Sequence, residues 1–261
     1  AYLSATDSGH IGVAALTAVS LGATHHLQLS VATGGTIDAT GLPTAIALNL
    51  SVAAGATLAL PSLTSLTGST FSIAGALNLP NLATLADSTV ALTGTGTITA
   101  PALTAVTNGS VTLDNTSSIT LPLLTNLQDT GVTLHGSSSL SLPALTSWAT
   151  TKSGVYLSAY DSSTFTAASL ASMTNVQIYV RNGAKLTLPG LTSYTFNLLA
   201  NPTLFDVANA GSELNLPALA TLTFNDGQNH NITAYLSATD SGHIGVAALT
   251  AVSLGTTHHL Q

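Results

Sequence analysis

The stretch Leu58-Ala59-Leu60-Pro61-Ser62-Leu63-Thr64-Ser65-Leu66 decides the fold. Leu58 and Leu60 alternate with Ala59, the period-two signature of a short strand with one buried face. Pro61 has no N–H to give to a ladder, so it ends that strand at a corner and holds Leu60 extended before it. The phrase then recurs. Aligned on its first residue, it opens at Ile11, Ile37, Leu58, Leu77, Ile98, Ile119, Leu140, Phe165, Leu186 and Leu214. Consecutive openers lie 19 to 30 residues apart, most often 21, and the series restarts at Ile244, 233 residues after Ile11.

The register is strict. Five residues after every opener stands a leucine: Leu16, Leu42, Leu63, Leu82, Leu103, Leu124, Leu145, Leu170, Leu191 and Leu219. Three residues after it, seven of the ten repeats carry proline. Eight residues after it lies another side chain in core register, among them Leu66, Leu127, Trp148, Met173 and Tyr194. Each repeat adds a further apolar-x-apolar triplet, such as Val111-Thr112-Leu113 or Val132-Thr133-Leu134. Ser, Thr, Asn and Gly fill the rest, which favours strands and turns over helix. One such turn cannot bury its inward side chains alone, whereas turns stacked at about 4.8 Å share a continuous core. The pattern predicts an all-β chain folded as a parallel β-solenoid (a β-helix), three-sided and right-handed. Ten turns would rise about 48 Å at that spacing. The alternative is a leucine-rich-repeat horseshoe. Its Asn or Cys ladder position is missing here, and it has no place for a second apolar triplet.

The two ends of the chain match. Residues 1–28 recur as residues 234–261 with 27 of 28 identical, Ala23 alone changing, to Thr256. The expected organisation is therefore one ten-turn unit over residues 1–233 and the start of the next over 234–261, with no separate globular domain. Such a chain reads as a segment of a tandem array.

Composition narrows the function. The 261 residues carry 3 basic and 10 acidic side chains, a net charge of −7. No basic surface exists to hold phosphates, so nucleic acid is not an expected partner. Cysteine is absent, which removes disulfides and thiolate metal sites. Polar residues interrupt every apolar stretch before 18 residues, so no membrane insertion is expected. No targeting segment is visible either. In a parallel stack, the same position of neighbouring turns lies within about 5 Å, and repeated like charges would repel. Hydroxyl and amide side chains carry no such penalty, which accounts for a charged share of only 5%.

The phrases Leu142-Pro143-Ala144-Leu145-Thr146 and Leu188-Pro189-Gly190-Leu191-Thr192, each followed by Ser/Thr/Gly-rich turns, resemble the Leu-Pro-x-Leu-Thr turns of giant repetitive bacterial surface and secreted proteins. Fungal cell-wall leucine-rich proteins carry a looser version. The resemblance spans nearly the whole chain and implies an extracellular or cell-surface location in adhesive stalks, fibres or matrix. It transfers no functional residue, because the shared positions are core and corner positions.

Candidate chemistry is sparse. Polysaccharide-active β-helices gather carboxylates on one face. Here Asp87, Asp114 and Asp129 fall at different offsets in their turns. No nucleophile elbow or phosphate loop is present, and no catalytic residue, enzyme activity or cofactor is expected. Histidines offer the one metal-like grouping. His230 and Asp226 share a loop, and His258 and His259 fall in the corresponding loop of the next turn, with His25 and His26 as their first-unit copies. Stacked imidazoles of this kind can bind zinc, nickel or copper, or switch near pH 6. Corner histidines that bond a backbone carbonyl are the plainer reading. Thr93, Thr95, Thr97 and Thr99 alternate as in ice-binding strands, but within one turn. Aromatic residues crowd into the second half of the unit, where Trp148, Phe165 and Tyr194 fall in core register; some of the rest, such as Tyr156, Tyr160 and Tyr179, could stack on sugars, but nothing in the spacing demands it. The longer turns also lie there. Leu204, Phe205 and Val207 fall in the excess residues of one of them and are expected to form an exposed, lateral contact between chains. The expected function is a structural block of an extracellular fibre, stalk or matrix that associates with copies of itself in tandem and laterally. The alternative is an adhesin whose longer turns hold a surface glycan or a protein partner.

Overall fold

The computed structural model describes residues 1–15, 17, 25–198, 202–225, 232–255 and 258–261. Strands of three to eight residues follow one another in sets of three, one set per turn. The first strand of each set joins a 12-stranded sheet, sheet 1, from Tyr2–Ala5 through Leu27–Val31 and Leu48–Val52 to His258–Leu260. The second strands form sheet 2, eight-stranded from His10–Gly12 to Thr164–Thr166. A three-stranded sheet, Lys185–Thr187, Glu213–Asn215 and His243–Gly245, continues that face. The third strands form the ten-stranded sheet 3, from Thr44–Ile46 to Ala251–Leu254. Strands pair in parallel, each with its counterpart one turn away, so the chain is a parallel β-solenoid with three faces. A horseshoe would put helix or irregular backbone on its outer side; here strands form every face.

The repeat openers are the centres of the sheet 2 strands. Leu58, Leu77, Ile98, Ile119, Leu140 and Phe165 stack in direct register. Their flanking residues point outward as two ranks of hydroxyls: Thr97 and Thr99, Ser118 and Thr120, Ser139 and Ser141, Thr164 and Thr166. The alternation noted at Thr97 and Thr99 thus extends over four turns, while Thr93 lies outside the sheet 2 strand.

Three kinds of corner join the strands. At the first, the carbonyl of Leu60 accepts from the N–H of Leu63 at 3.2 Å, with Pro61 and Ser62 between them. Leu79 and Leu82, Leu121 and Leu124, and Leu188 and Leu191 repeat this bond at 3.2 to 3.4 Å. Proline suits the second position of such a β-turn because its fixed φ is already correct. The turn then swings the ladder leucine inward. The nine ladder leucines from Leu42 to Leu219 are 0 to 3% exposed; Leu16 lies outside the described residues.

At the second corner the backbone turns left-handed, at Gly68, Asp87, Asn108, Asp129 and Asn175, with φ between 49° and 63°. Gly, Asn and Asp tolerate that conformation best. Several of the residues that follow bury a hydroxyl that bridges turns. Ser88 Oγ accepts from Ser69 N at 3.0 Å and donates to the Ala86 carbonyl at 2.6 Å. At the third corner the turns approach so closely that a Cβ on Gly96 would lie 2.2 Å from the Ile73 carbonyl oxygen. Gly96 therefore has no room for a side chain, while other turns place Ala56, Ser117, Ser138 or Ala184 at the equivalent position.

The second half of the unit has a wider, aromatic interior. Trp148, Tyr194, Phe196, Phe205 and Phe224 are buried. The polar tips are satisfied: Trp148 Nε1 donates to the Thr130 carbonyl at 3.1 Å and Tyr194 OH to the Val176 carbonyl at 2.7 Å. Leu204, Phe205 and Val207 depart from expectation. They lie in the sheet 1 strand Thr203–Ala208 and are fully buried, not exposed on a loop. One residue, Leu204, is taken up by a β-bulge, where Thr203 faces Tyr235 and Phe205 faces Leu236. The bulge takes Leu204 into the core beside Phe205, whose ring meets Tyr194 edge-on at 4.9 Å. An apolar lateral contact through these three residues is therefore ruled out.

Leu124 and its neighbour test the register. Leu124 is 1% exposed and Leu123 is 54% exposed. Leu124→Ala should lower stability by about 2–5 kcal/mol. Leu123→Ala should stay within about 0.5 kcal/mol of the parent chain. Equilibrium denaturation of the two variants reads the difference, and equal losses would mean the register is wrong.

Candidate functional site

Two places bring side chains or edges together in a way that could serve a function. The first is the seam where the copied sequence begins. The start of the second unit stacks on the last turn of the first through all three faces. In sheet 1, Thr203–Ala208 pairs with Ile232–Thr239, and in sheet 3 Thr221–Phe224 pairs with Ala251–Leu254. Between them, Glu213, Leu214 and Asn215 face His243, Ile244 and Gly245. Backbone bonds across the seam include Tyr235 N to the Pro202 carbonyl at 2.9 Å, His243 N to Ser212 at 3.0 Å and Ala251 N to Ala220 at 3.0 Å. Within a unit the same bonds recur, as from Ser118 N to the Gly96 carbonyl at 3.0 Å. Leu214, Leu216, Leu222 and Phe224 are buried under the second copy. Apart from the bulge at Leu204, the seam pairs like the other steps of the stack.

The second place is the outer side of sheet 1 in the longer turns. Strands Tyr156–Tyr160, Gln177–Arg181 and Thr203–Ala208 send Leu157, Ala159, Ile178, Val180, Phe205 and Val207 inward. Alternation then sends Tyr156, Tyr160, Tyr179, Arg181 and Asp206 outward. Tyr160 faces Arg181, and Tyr179 faces Asp206, on consecutive turns. His135 stacks on Tyr160 with ring centroids 4.3 Å apart, and Tyr156 on Tyr179 at 4.9 Å. Arg181 lies 5.5 Å over the Tyr179 ring and is ion-paired and hydrogen-bonded to Asp206.

These contacts shape the local chemistry. Burial pushes the Tyr179 phenol up to about 12, helped by the nearby Tyr156 and the Asp206 carboxylate. Asp206 in turn holds the Arg181 guanidinium protonated above its ordinary value. Each stacked pair covers one face of each of its rings, so the cluster, from His135 to Asp206, clamps four turns in register. Its members appear in the sequence without a role. Aligning the outward residue of the apolar-x-apolar triplets, Ser158 with Tyr179 and Asp206, is the signal that gathers them.

The histidine grouping is placed only in part. Asp226 and His230 lie outside the described residues. His258 and His259 belong to a sheet 1 strand and face Ile232 and Thr233 in register, with His259 exposed. Their first-unit counterparts His25 and His26 are exposed as well. Among the described residues, no group of three or more His, Asp or Glu side chains could hold a metal ion. Several acidic residues have local partners. Asp129 accepts from the Thr151 N–H at 2.6 Å and the Thr150 hydroxyl at 2.9 Å. Burial works against its charge, but these bonds and Lys152 prevail and hold its carboxyl below the usual range. Asp87 accepts from Asn108, and Glu213 lies 3.7 Å from Lys185. No family model, curated protein or solved structure matches the chain.

Tyr179 gives the site a measurable pH signature. Its phenol is raised in the folded chain, so the unfolded chain ionises first, from its ordinary value of 10.0 upward. The stabilisation is complete below that pH and is lost as pH rises through about 12. Denaturation midpoints should therefore hold level up to about pH 10 and then fall. Tyr179→Phe should remove part of that fall and leave the part due to buried Tyr194, whose phenol burial also raises. An unchanged profile in Tyr179→Phe would contradict the assignment.

Proposed function

We propose that the protein is a structural building block of an extracellular fibre, stalk or matrix, in which 233-residue units follow one another as one uninterrupted β-solenoid. The seam carries this reading. A unit boundary is normally where two folded bodies meet through a linker. Here the next unit begins inside the stack and pairs in parallel through all three faces, over the buried Leu214, Leu216 and Leu222 of the preceding turn. A chain of such units has no joint at which to bend, so length adds as rod. The sides of the rod suit the same role. Ladders of Ser, Thr and Asn solvate it with little charge, and the aromatic cluster recurs once per unit as a clamp. The surface location rests on the resemblance to repetitive surface and secreted proteins.

A chain of three units in tandem provides the test. Solution scattering and electron microscopy should show one thin rod that lengthens by about 48 Å per unit. Compact beads joined by flexible links would overturn the proposal. So would a rod whose length does not scale with unit number.

A further inference from the structure

The outward tyrosines of sheet 1 are placed for a reaction that their stacking alone does not use. We propose that Tyr156 and Tyr179 are the site of an oxidative cross-link. The oxidant is of the haem-peroxidase class with hydrogen peroxide, and the product is a carbon–carbon bond that staples two consecutive turns. The proposal rests on this pair and does not require the fibre reading.

Geometry selects the pair. Tyr156 faces Gln177 and Tyr179 faces Ser158, so the two tyrosines are diagonal neighbours on adjacent strands, near enough for aromatic side chains to touch. Their rings meet at 4.9 Å between centroids, with the planes 23° apart. Burial first, and then the charge and hydrogen bonding of Tyr156, raise the Tyr179 phenol, so the hydroxyl ends of the two rings lie together. Both side chains are half-buried on the outer face, where an oxidant in solution can reach them. Partly exposed side chains also change rotamer within nanoseconds, which lets the rings pivot from stacked to edge-joined. The other tyrosines are paired differently. Tyr160 stacks on His135, and Tyr194 lies in the core, edge-on to Phe205. Among the described residues, Tyr156 and Tyr179 are the one pair of tyrosine rings in contact.

The chemistry balances. Each phenol gives up one electron and one proton, the proton to water, and becomes a phenoxyl radical. Its unpaired electron is shared with the ring carbons beside the hydroxyl-bearing carbon. Two such radicals couple through those carbons, and the hydrogen on each then moves to its oxygen and restores the phenol. The pair has lost two hydrogens, and one hydrogen peroxide has become two waters. Holding the rings in contact makes the coupling intramolecular, where the effective concentration far exceeds that between separate molecules.

The bond has a clear structural effect. This chain has no cysteine, so no disulfide can close a loop in it. A Tyr156–Tyr179 bond joins residues 23 apart, and closing a loop stabilises the fold by restricting the unfolded chain, as a disulfide does. It reinforces the same turns that Arg181 and Asp206 already hold by charge.

The test treats the full 261-residue chain, in dilute solution, with a haem peroxidase and hydrogen peroxide. Dityrosine fluorescence should appear in a band that still runs as a single chain on a denaturing gel, and the intact mass of that chain should fall by two hydrogens. Fragment-ion sequencing should place the bond between Tyr156 and Tyr179, independently of any variant. Tyr156→Phe and Tyr179→Phe keep a ring for the stack but have no phenol to oxidise, and each should lower the single-chain yield at least about tenfold. The cross-linked chain should unfold at a higher denaturant concentration than the untreated one. Three results overturn the proposal: no dityrosine in the single-chain band, a bond mapped to any other pair, or a parent-like yield in either phenylalanine variant. None of them bears on whether linked units form a rod.

Discussion

Parallel pairing between successive turns is the constraint from which the rest follows. A turn of this solenoid keeps few backbone hydrogen bonds for itself beyond its corner bonds; its strands give and accept across the gap to the turns on either side. Every position must then tolerate its own kind about 4.8 Å away, and that condition selects residue type at each place in the turn. Inside, it selects Leu, Ile and Val, which stack without gaps. Outside, it selects Ser, Thr and Asn, and it excludes rows of like charge. Where charged side chains do meet on neighbouring turns, Arg181 with Asp206 and Lys185 with Glu213, they are opposite in sign.

The corners answer a second demand of the same stacking. A three-sided turn must change direction three times within about 21 residues without leaving buried backbone groups unpaired. Proline with its following β-turn does so at the first corner. Left-handed Asn, Asp and Gly do so at the second, and glycine or another small residue at the third. The side-chain hydroxyls of Ser69, Ser88 and Thr130 bridge consecutive turns at the second corner, where the strand ladders are interrupted. Corner and core are therefore one design: the turn aims the leucine, and the stacked leucines hold the turn.

Periodicity made most of this legible from residues alone. The openers, the ladder leucines and the corner prolines recur at fixed offsets, and a pattern repeated ten times outweighs any single ambiguous residue. What recurs once is harder to read. Leu204, Phe205 and Val207 look like surplus because their turn is long, and surplus normally leaves a stack as a loop. Instead they stay in the strand, with a β-bulge at Leu204, and no sequence signal tells which residues of a long turn form strand and which leave it. The Arg181 cluster was hidden for a related reason. Its members sit at outward positions, where neighbouring turns place Ser or Thr, so periodic alignment treats them as noise. The histidine grouping shows the limit from the other side: His258 and His259 are on a strand edge opposite Ile232 and Thr233, although their composition suggested a loop.

The copied segment carries the constraint to its conclusion. As residues 234–261 it rests on turn 10, built from Thr203–Ala208, Glu213–Asn215 and Thr221–Phe224. As residues 1–28 it supports turn 2, so the chain displays both interfaces of the same sequence. Turn 10 and turn 2 are not alike. The one is a long turn with Phe205 and Phe224 in its core, the other a short one with Leu29 and Ile37. Yet His10–Gly12 and His243–Gly245 are the same strand in both copies, and Ala234 with Gln261 and Ala1 with Gln28 are bonded at the same distance. The copied turn thus serves two different neighbours, and it lets an aromatic end of the unit meet an aliphatic beginning. Any inward residue of that turn must satisfy both sides at once. A substitution there disturbs two steps of the stack, whichever copy carries it, and in a tandem array it would do so at every seam.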